Sequence, residues 1–178
     1  MPRKNLRSRQ MSARRRAQEC SKFEQQKKQL FDHFHRSGPI PAHDNDVELA
    51  IYDLIPLSLA AFPVTIRAKF PPQAQFDVFT CKLNDWAYYR PPQGHRDPGH
   101  SFYFNASGIR AHTKPWAKLV ACVCHEVIHC LSRQFCGDET SVCASMVGNK
   151  KCSDSFFKLK TIFLETYPFM TDLLDICE

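Results

Sequence analysis

The chain has 178 residues, 43% of them hydrophobic, and a net charge of +6. That length supports one domain with a proper core and is short for two. No apolar run approaches the roughly 18 residues that cross a bilayer, and the charged N-terminus lacks an apolar signal region, which argues against a membrane-spanning or secreted product.

The expected location is therefore cytoplasmic, or nuclear in a eukaryotic host, with no membrane partner. Nine cysteines are many, and the count is odd. Without a secretory signal they are expected to be mostly reduced and buried. The crowd from Cys122 to Cys152 contains no paired C-x₂₋₄-C spacing of a structural zinc ribbon, so packing is preferred to a separate metal cluster.

Charge divides the chain. Ten of its 24 Lys and Arg residues fall in residues 1–30, against two acids, which leaves the remainder slightly acidic. Residues 1–36 thus read as a basic arm, and residues 37–178 as the folded body. Met1 to about Ala17 is too polar to order itself and is expected to be disordered. Its arginines, Arg14, Arg15 and Arg16 above all, can neutralise nucleic-acid phosphates or serve as a nuclear address. A plain solubilising tail is an equally good reading. No aromatic is interleaved there to stack on bases. From Ala17 to His35 an approximate apolar stripe (Cys20, Phe23, Leu30, Phe31, Phe34) predicts a helix.

Ser37–Ala42 is a linker by composition. A helix is expected from about Asp46 to Ala61, capped by Asp44 or Asn45 and kinked or divided at Pro56. Val64–Lys69 alternates and starts β-branched, which predicts a strand. Phe76–Leu83 and Asp85–Arg90 are two further strand candidates. Pro91–His100 is a loop, with His95 and His100 expected to be solvated and not ligands. Ser101–Asn105 is a short aromatic strand, and Asn105–His112 a turn.

Next comes the run Val120–Leu131, inside a helix expected from about Lys114 to Gln134. Trp116, Leu119, Val120, Val123, Val127 and Leu131 form its core stripe. The run contains His125-Glu126-Val127-Ile128-His129. Residues four apart share one face of a helix, so His125 and His129 can aim two imidazole nitrogens at one Zn²⁺. Glu126 stands beside the first, where a carboxylate can act as general base. Cys122 shares that face one turn earlier, where packing is preferred to ligation. Gly137 ends the helix, another begins at Asp138, and Ser153 or Asp154 caps a third through Phe163. Pro168 breaks that helix, and Phe169–Cys177 closes the core. The whole is an α+β fold with a small mixed or antiparallel sheet.

Ser101 to Gly148 resembles the active-site region of the zincin metallopeptidases, with His125-Glu126-Val127-Ile128-His129 as the H-E-x-x-H motif. The resemblance implies a minimal zincin fold, a zinc held by His125, His129 and a third protein ligand further along, and Glu126 as the general base. It also makes Ser101–Asn105 the sheet-edge strand that pairs with an extended peptide substrate. No histidine follows His129, so the metzincin continuation is absent, as is the downstream histidine of SprT-like proteases. The carboxylates nearby are Asp138 and Glu139, an arrangement similar to gluzincins and to small phage-encoded and ImmA/IrrE-like proteins. Asp138 is the better N-cap, which makes Glu139 the preferred third ligand. The expected function is zinc-dependent hydrolysis of peptide bonds in a protein or peptide substrate. Candidates to stabilise the oxyanion are Tyr103, His112, Arg133 and Tyr167. The alternatives are a zinc-containing, nucleic-acid-associated binding protein on a zincin-like scaffold, or a DNA-associated protease with SprT-like logic.

Overall fold

The computed structural model describes the backbone of residues 3–93, 99–136 and 150–174, and the side chains of 17–93, 99–134 and 154–174. Between Arg3 and Ser37 there is neither proline nor glycine, and Arg, Lys, Gln, Ala and Met all favour helix. The first helix, α1, accordingly spans Arg3–Phe34. It reaches back through the stretch expected to be disordered, and Arg14, Arg15 and Arg16 fall inside it. Its C-terminal end belongs to the core, where Leu30 and Phe34 are buried. The last turns of α1 thus pack with the body.

The segment read as a linker is tied down at three points. Ile40 is buried, the Pro39 carbonyl accepts from Trp116 Nε1 at 3.0 Å, and the Pro41 carbonyl accepts from Arg110 Nε at 2.9 Å. Gly38 makes the turn possible with φ of 90°, a conformation that costs any residue with a Cβ. Helix α2 follows at Asp44–Leu59 and runs through Pro56 within its last turn, where the proline has no N–H to donate to the Tyr52 carbonyl. It buries Val47, Ile51, Leu54 and Ile55.

Val64–Lys69 is not a strand. Val64–Arg67 forms a single helical turn, α3, whose Ile66 and Arg67 amides bond to the Pro63 carbonyl at 2.9 and 3.0 Å. Val64 is 63% exposed, so the alternation had no apolar face to bury, and β-branching alone does not make a strand.

Three strands form one mixed sheet: β1 (Phe76–Thr80), β2 (Ala87–Arg90) and β3 (His100–Phe104). Their order is β1-β3-β2, with β3 parallel to β1 and antiparallel to β2. Ser101–Phe104 therefore lies in the central strand, paired on both sides. It is not the sheet edge that the zincin resemblance implied. Phe76, Val78, Tyr89, Phe102 and Phe104 face the core. On the other face Phe79, Tyr103 and Tyr88 stand in one register across all three strands. Their rings stack at centroid distances of 5.2 and 4.6 Å, a cross-strand ladder that stiffens the sheet.

Beyond β3 the expected turn is a short helix, α4 (Ala106–Ala111), capped by the Asn105 side chain, which accepts from the Gly108 amide at 2.9 Å. Helix α5 (Pro115–Cys136) carries the H-E-x-x-H run. Helix α6 spans Lys150–Thr166, and after a 3₁₀ turn at Pro168–Met170 the short α7 (Thr171–Leu174) closes the core with Met170 and Leu174. All six residues expected in the α5 core stripe are buried. Helices α1, α2, α4, α6 and α7 and strand β2 all pack on α5. Among the described residues no helix is long and apolar enough to cross a membrane.

The outer side of β1 is satisfied by α2. Glu48 Oε1 accepts from both the Thr80 amide and the Thr80 hydroxyl at 2.8 Å, and the Tyr52 hydroxyl accepts from the Val78 amide at 3.2 Å. Glu48→Ala strands two donors at once and should cost about 1–3 kcal/mol, read from urea unfolding. An unchanged midpoint would mean that water replaces the carboxylate without loss.

Candidate metal centre

α5 is apolar on nearly every side, and such a helix is driven to the centre of its fold. Its few polar residues go with it: His125, Glu126 and His129 are only 3%, 2% and 9% exposed. The four-residue spacing does what helix geometry requires. The Nε2 atoms of His125 and His129 approach to 2.8 Å, with ring centroids 4.5 Å apart. At that distance one nitrogen carries the hydrogen and the other accepts it.

His129 is held well below the usual imidazole range, first by burial, then by the neighbouring His125 and by the Lys160 charge. Neutral imidazole is the form that binds metals. Two nitrogens bound tetrahedrally to zinc stand about 3.3 Å apart, given bonds of about 2.0–2.1 Å. The observed pair needs to open by only roughly half an ångström to accept the ion. As donors, the pair fits zinc.

The rest of the expected ligand set is not tested by the geometry. Glu139 and its alternative Asp138 lie outside the described residues, as does His95. Among the described residues no group of three His, Cys, Asp or Glu side chains is arranged to hold a metal ion. Arg14, Arg15 and Arg16 also have side chains outside the described residues. Glu126 lies on the sheet-facing side of α5, close enough that its charge opposes ionisation of Cys130.

The four candidates for an oxyanion partner separate cleanly. Tyr103 belongs to the aromatic ladder on the face of the sheet turned away from α5. Tyr167 is buried and donates to the Leu57 carbonyl at 3.1 Å. His112 precedes the start of α5, and its Nδ1 accepts from the Lys114 amide at 3.1 Å; ten residues of helix put His125 about 15 Å beyond. Arg133 alone stays close, one turn past His129 on the same side of the helix, and its charge reaches Tyr89.

Three features were missed in the sequence. Phe156 of α6 lays its ring on His129, with centroids 4.3 Å apart at 26°, and meets His125 at 5.3 Å. Lys160, one turn further on, is buried near the same ring. Phe156 reads only as a core position of an amphipathic helix, and nothing in the sequence singles out Lys160. The third is His100, expected to be solvated. It is the first residue of β3, and its Nδ1 lies 2.7 Å from the Tyr89 hydroxyl and 4.0 Å from Cys130 Sγ. The signal was present in the period-2 row His100, Phe102, Phe104. Burial pushes the Tyr89 phenol and the Cys130 thiol up and the His100 imidazole down. These shifts favour the neutral forms, and the three side chains make a hydrogen-bonded pin between sheet and helix. Of the other described cysteines, Cys122 and Cys124 are buried, and Cys20 and Cys81 are exposed.

No family model, curated protein or solved structure matches the chain.

The histidines give the protein a pH dependence of definite sign. His129, His33 and His100 all have depressed folded-state values, each chiefly through burial. The unfolded chain therefore binds more protons below its ordinary imidazole pKa of about 6.5. Stability is fully present above that pH and declines as the pH falls below it. Metal-free protein should unfold at lower urea at pH 5 than at pH 7.5, and His129→Gln should make the difference smaller. A midpoint that rises on acidification would contradict the neutral state of these rings.

Proposed function

We propose that the chain is a zinc-dependent peptidase, with His125, His129 and Glu139 holding the metal and Glu126 as general base. The observation that supports it most is the converging, buried pair of imidazoles with Glu126 next to it on the same helix. Two histidines packed only as core would need neither a shared target nor a neighbouring carboxylate. Zinc at such a pair supplies Lewis-acid polarisation of a carbonyl and lowers the pKa of water.

The chain's own residues carry the protons. As water oxygen bonds to the scissile carbon, the carbonyl π pair moves onto oxygen, and Glu126 takes one water proton. Glu126 returns it to the amide nitrogen as the C–N bond breaks, leaving a carboxylic acid and an amine that exchange the last proton. Arg133, one turn past His129, would be the cation that favours the oxyanion. The substrate enters as an extended strand. Because β3 is central and β1 is covered by α2, the edge proposed to accept it, among the described residues, is β2, which packs on α5.

Metal content and peptide hydrolysis test this together. Purified protein should hold about one zinc per chain, and His125→Ala/His129→Ala should lose it. Glu126→Gln should keep the metal and lose about 10²–10⁴-fold in rate. Glu139→Ala should weaken both, whereas Asp138→Ala should cost about 1 kcal/mol of helix-cap stability. Zinc retained by the double histidine variant would end the proposal, and zinc lost from Asp138→Ala instead of Glu139→Ala would move the ligand by one residue.

The charge of α1 favours a second reading, a DNA-associated protein with or without protease activity. Ten basic residues in the first 30 form a polyanion-binding element. Deleting residues 1–17 removes seven of them and should flatten the salt dependence of nucleic-acid affinity. The same slope after truncation would assign any binding to the body.

A further inference from the structure

Imidazole rings turn about χ2 in a broad, weakly defined torsion, so a neighbour outside the helix can fix their planes alongside the hydrogen bond that joins them. In this fold that neighbour is α6. The Phe156 ring is buried and touches both imidazoles, lying nearly flat on His129 and steeply tilted, at 63°, against His125. A ring stacked on the face of an imidazole leaves the in-plane lone pair of Nε2 clear. The contact orients the donor without covering the donor atom.

We propose that Phe156 is the positioning residue of the imidazole pair, an inference that rests on His125 and His129 being metal donors. Its ring holds the two nitrogens converging before the metal arrives, so the ion meets a formed pair. The phenyl group would do this by shape alone, with no hydrogen bond to the ligands.

Full-length protein carrying Phe156→Leu or Phe156→Tyr tests this, with zinc affinity measured by chelator competition and Co²⁺ absorption as a spectral signature. Phe156→Leu keeps an apolar side chain but removes the ring. It should weaken zinc binding by about 10–100-fold, the range for groups that orient metal ligands, and shift the Co²⁺ bands. Phe156→Tyr retains the ring and should restore parental affinity and spectrum. Thermal melts with and without zinc provide the structural control: positioning predicts that zinc raises the Tm of the Leu variant less than that of the parent. If Leu lowers both melts equally and binds zinc as tightly as the parent, Phe156 merely fills space and the inference fails. Equal losses in Leu and Tyr overturn it too, since the ring would then not be the cause. A parent protein that takes up no zinc removes the metal reading itself, and this inference with it.

Discussion

The burial of α5 on all sides is the constraint from which the rest follows. From Trp116 to Ser132 every residue of this helix is buried, including Lys118, His125, Glu126 and His129. Placing such groups in an apolar interior is costly unless neighbours compensate. Much of the compensation here is aromatic. The Lys118 ammonium lies over the Trp86 ring at 4.2 Å, and Phe156 covers the imidazoles. On the sheet side, Tyr89 and His100 meet Cys130. Cation–π and ring contacts of this kind contribute about 0.5–2 kcal/mol each, enough to bias an arrangement but small beside the hydrophobic burial that drives the helix inward.

The imidazole pair is satisfied in two mutually exclusive ways. At 2.8 Å one N–H···N hydrogen bond joins the rings, with a net worth of about 0.5–1.5 kcal/mol. A zinc site would replace that shared hydrogen by the ion, and structural zinc sites in small peptides bind with about 10–16 kcal/mol at neutral pH. Even a much weaker, partly open site exceeds the hydrogen bond it displaces. The observed contact is therefore no obstacle to metal binding. Lys160 acts in the opposite sense. Its positive charge adds to burial and to His125 in lowering the His129 pKa but also opposes a nearby cation, so the proposed zinc would be favoured by an anionic third donor.

How much was legible depended on whether the cause was local. The motif helix was legible because its apolar stripe and the four-residue spacing of His125 and His129 lie within one element. The three strands of the sheet were found from their aromatic and β-branched runs. Val64–Lys69 failed because the same local signal had no partner strand and no buried face. The exchange of edge and centre between β2 and β3 could not be read from chain order: β3 returns between its predecessors, and only pairing reveals that. Phe156 lies some thirty residues past the motif, so its contact with His129 is a property of packing, invisible to periodicity.

Strand order also constrains how an extended chain could approach. A peptide joining a sheet needs a row of available amides and carbonyls. β3 uses both of its sides, and β1 has its outward amides at Val78 and Thr80 occupied by Tyr52 and Glu48. Among the described residues β2 pairs only with β3. It is also the strand that rests on α5, through Tyr89 against Cys130, one turn from Glu126. Among the described residues, the aromatic ladder on the opposite face and the Tyr89–His100–Cys130 contacts thus brace the strand that packs on α5.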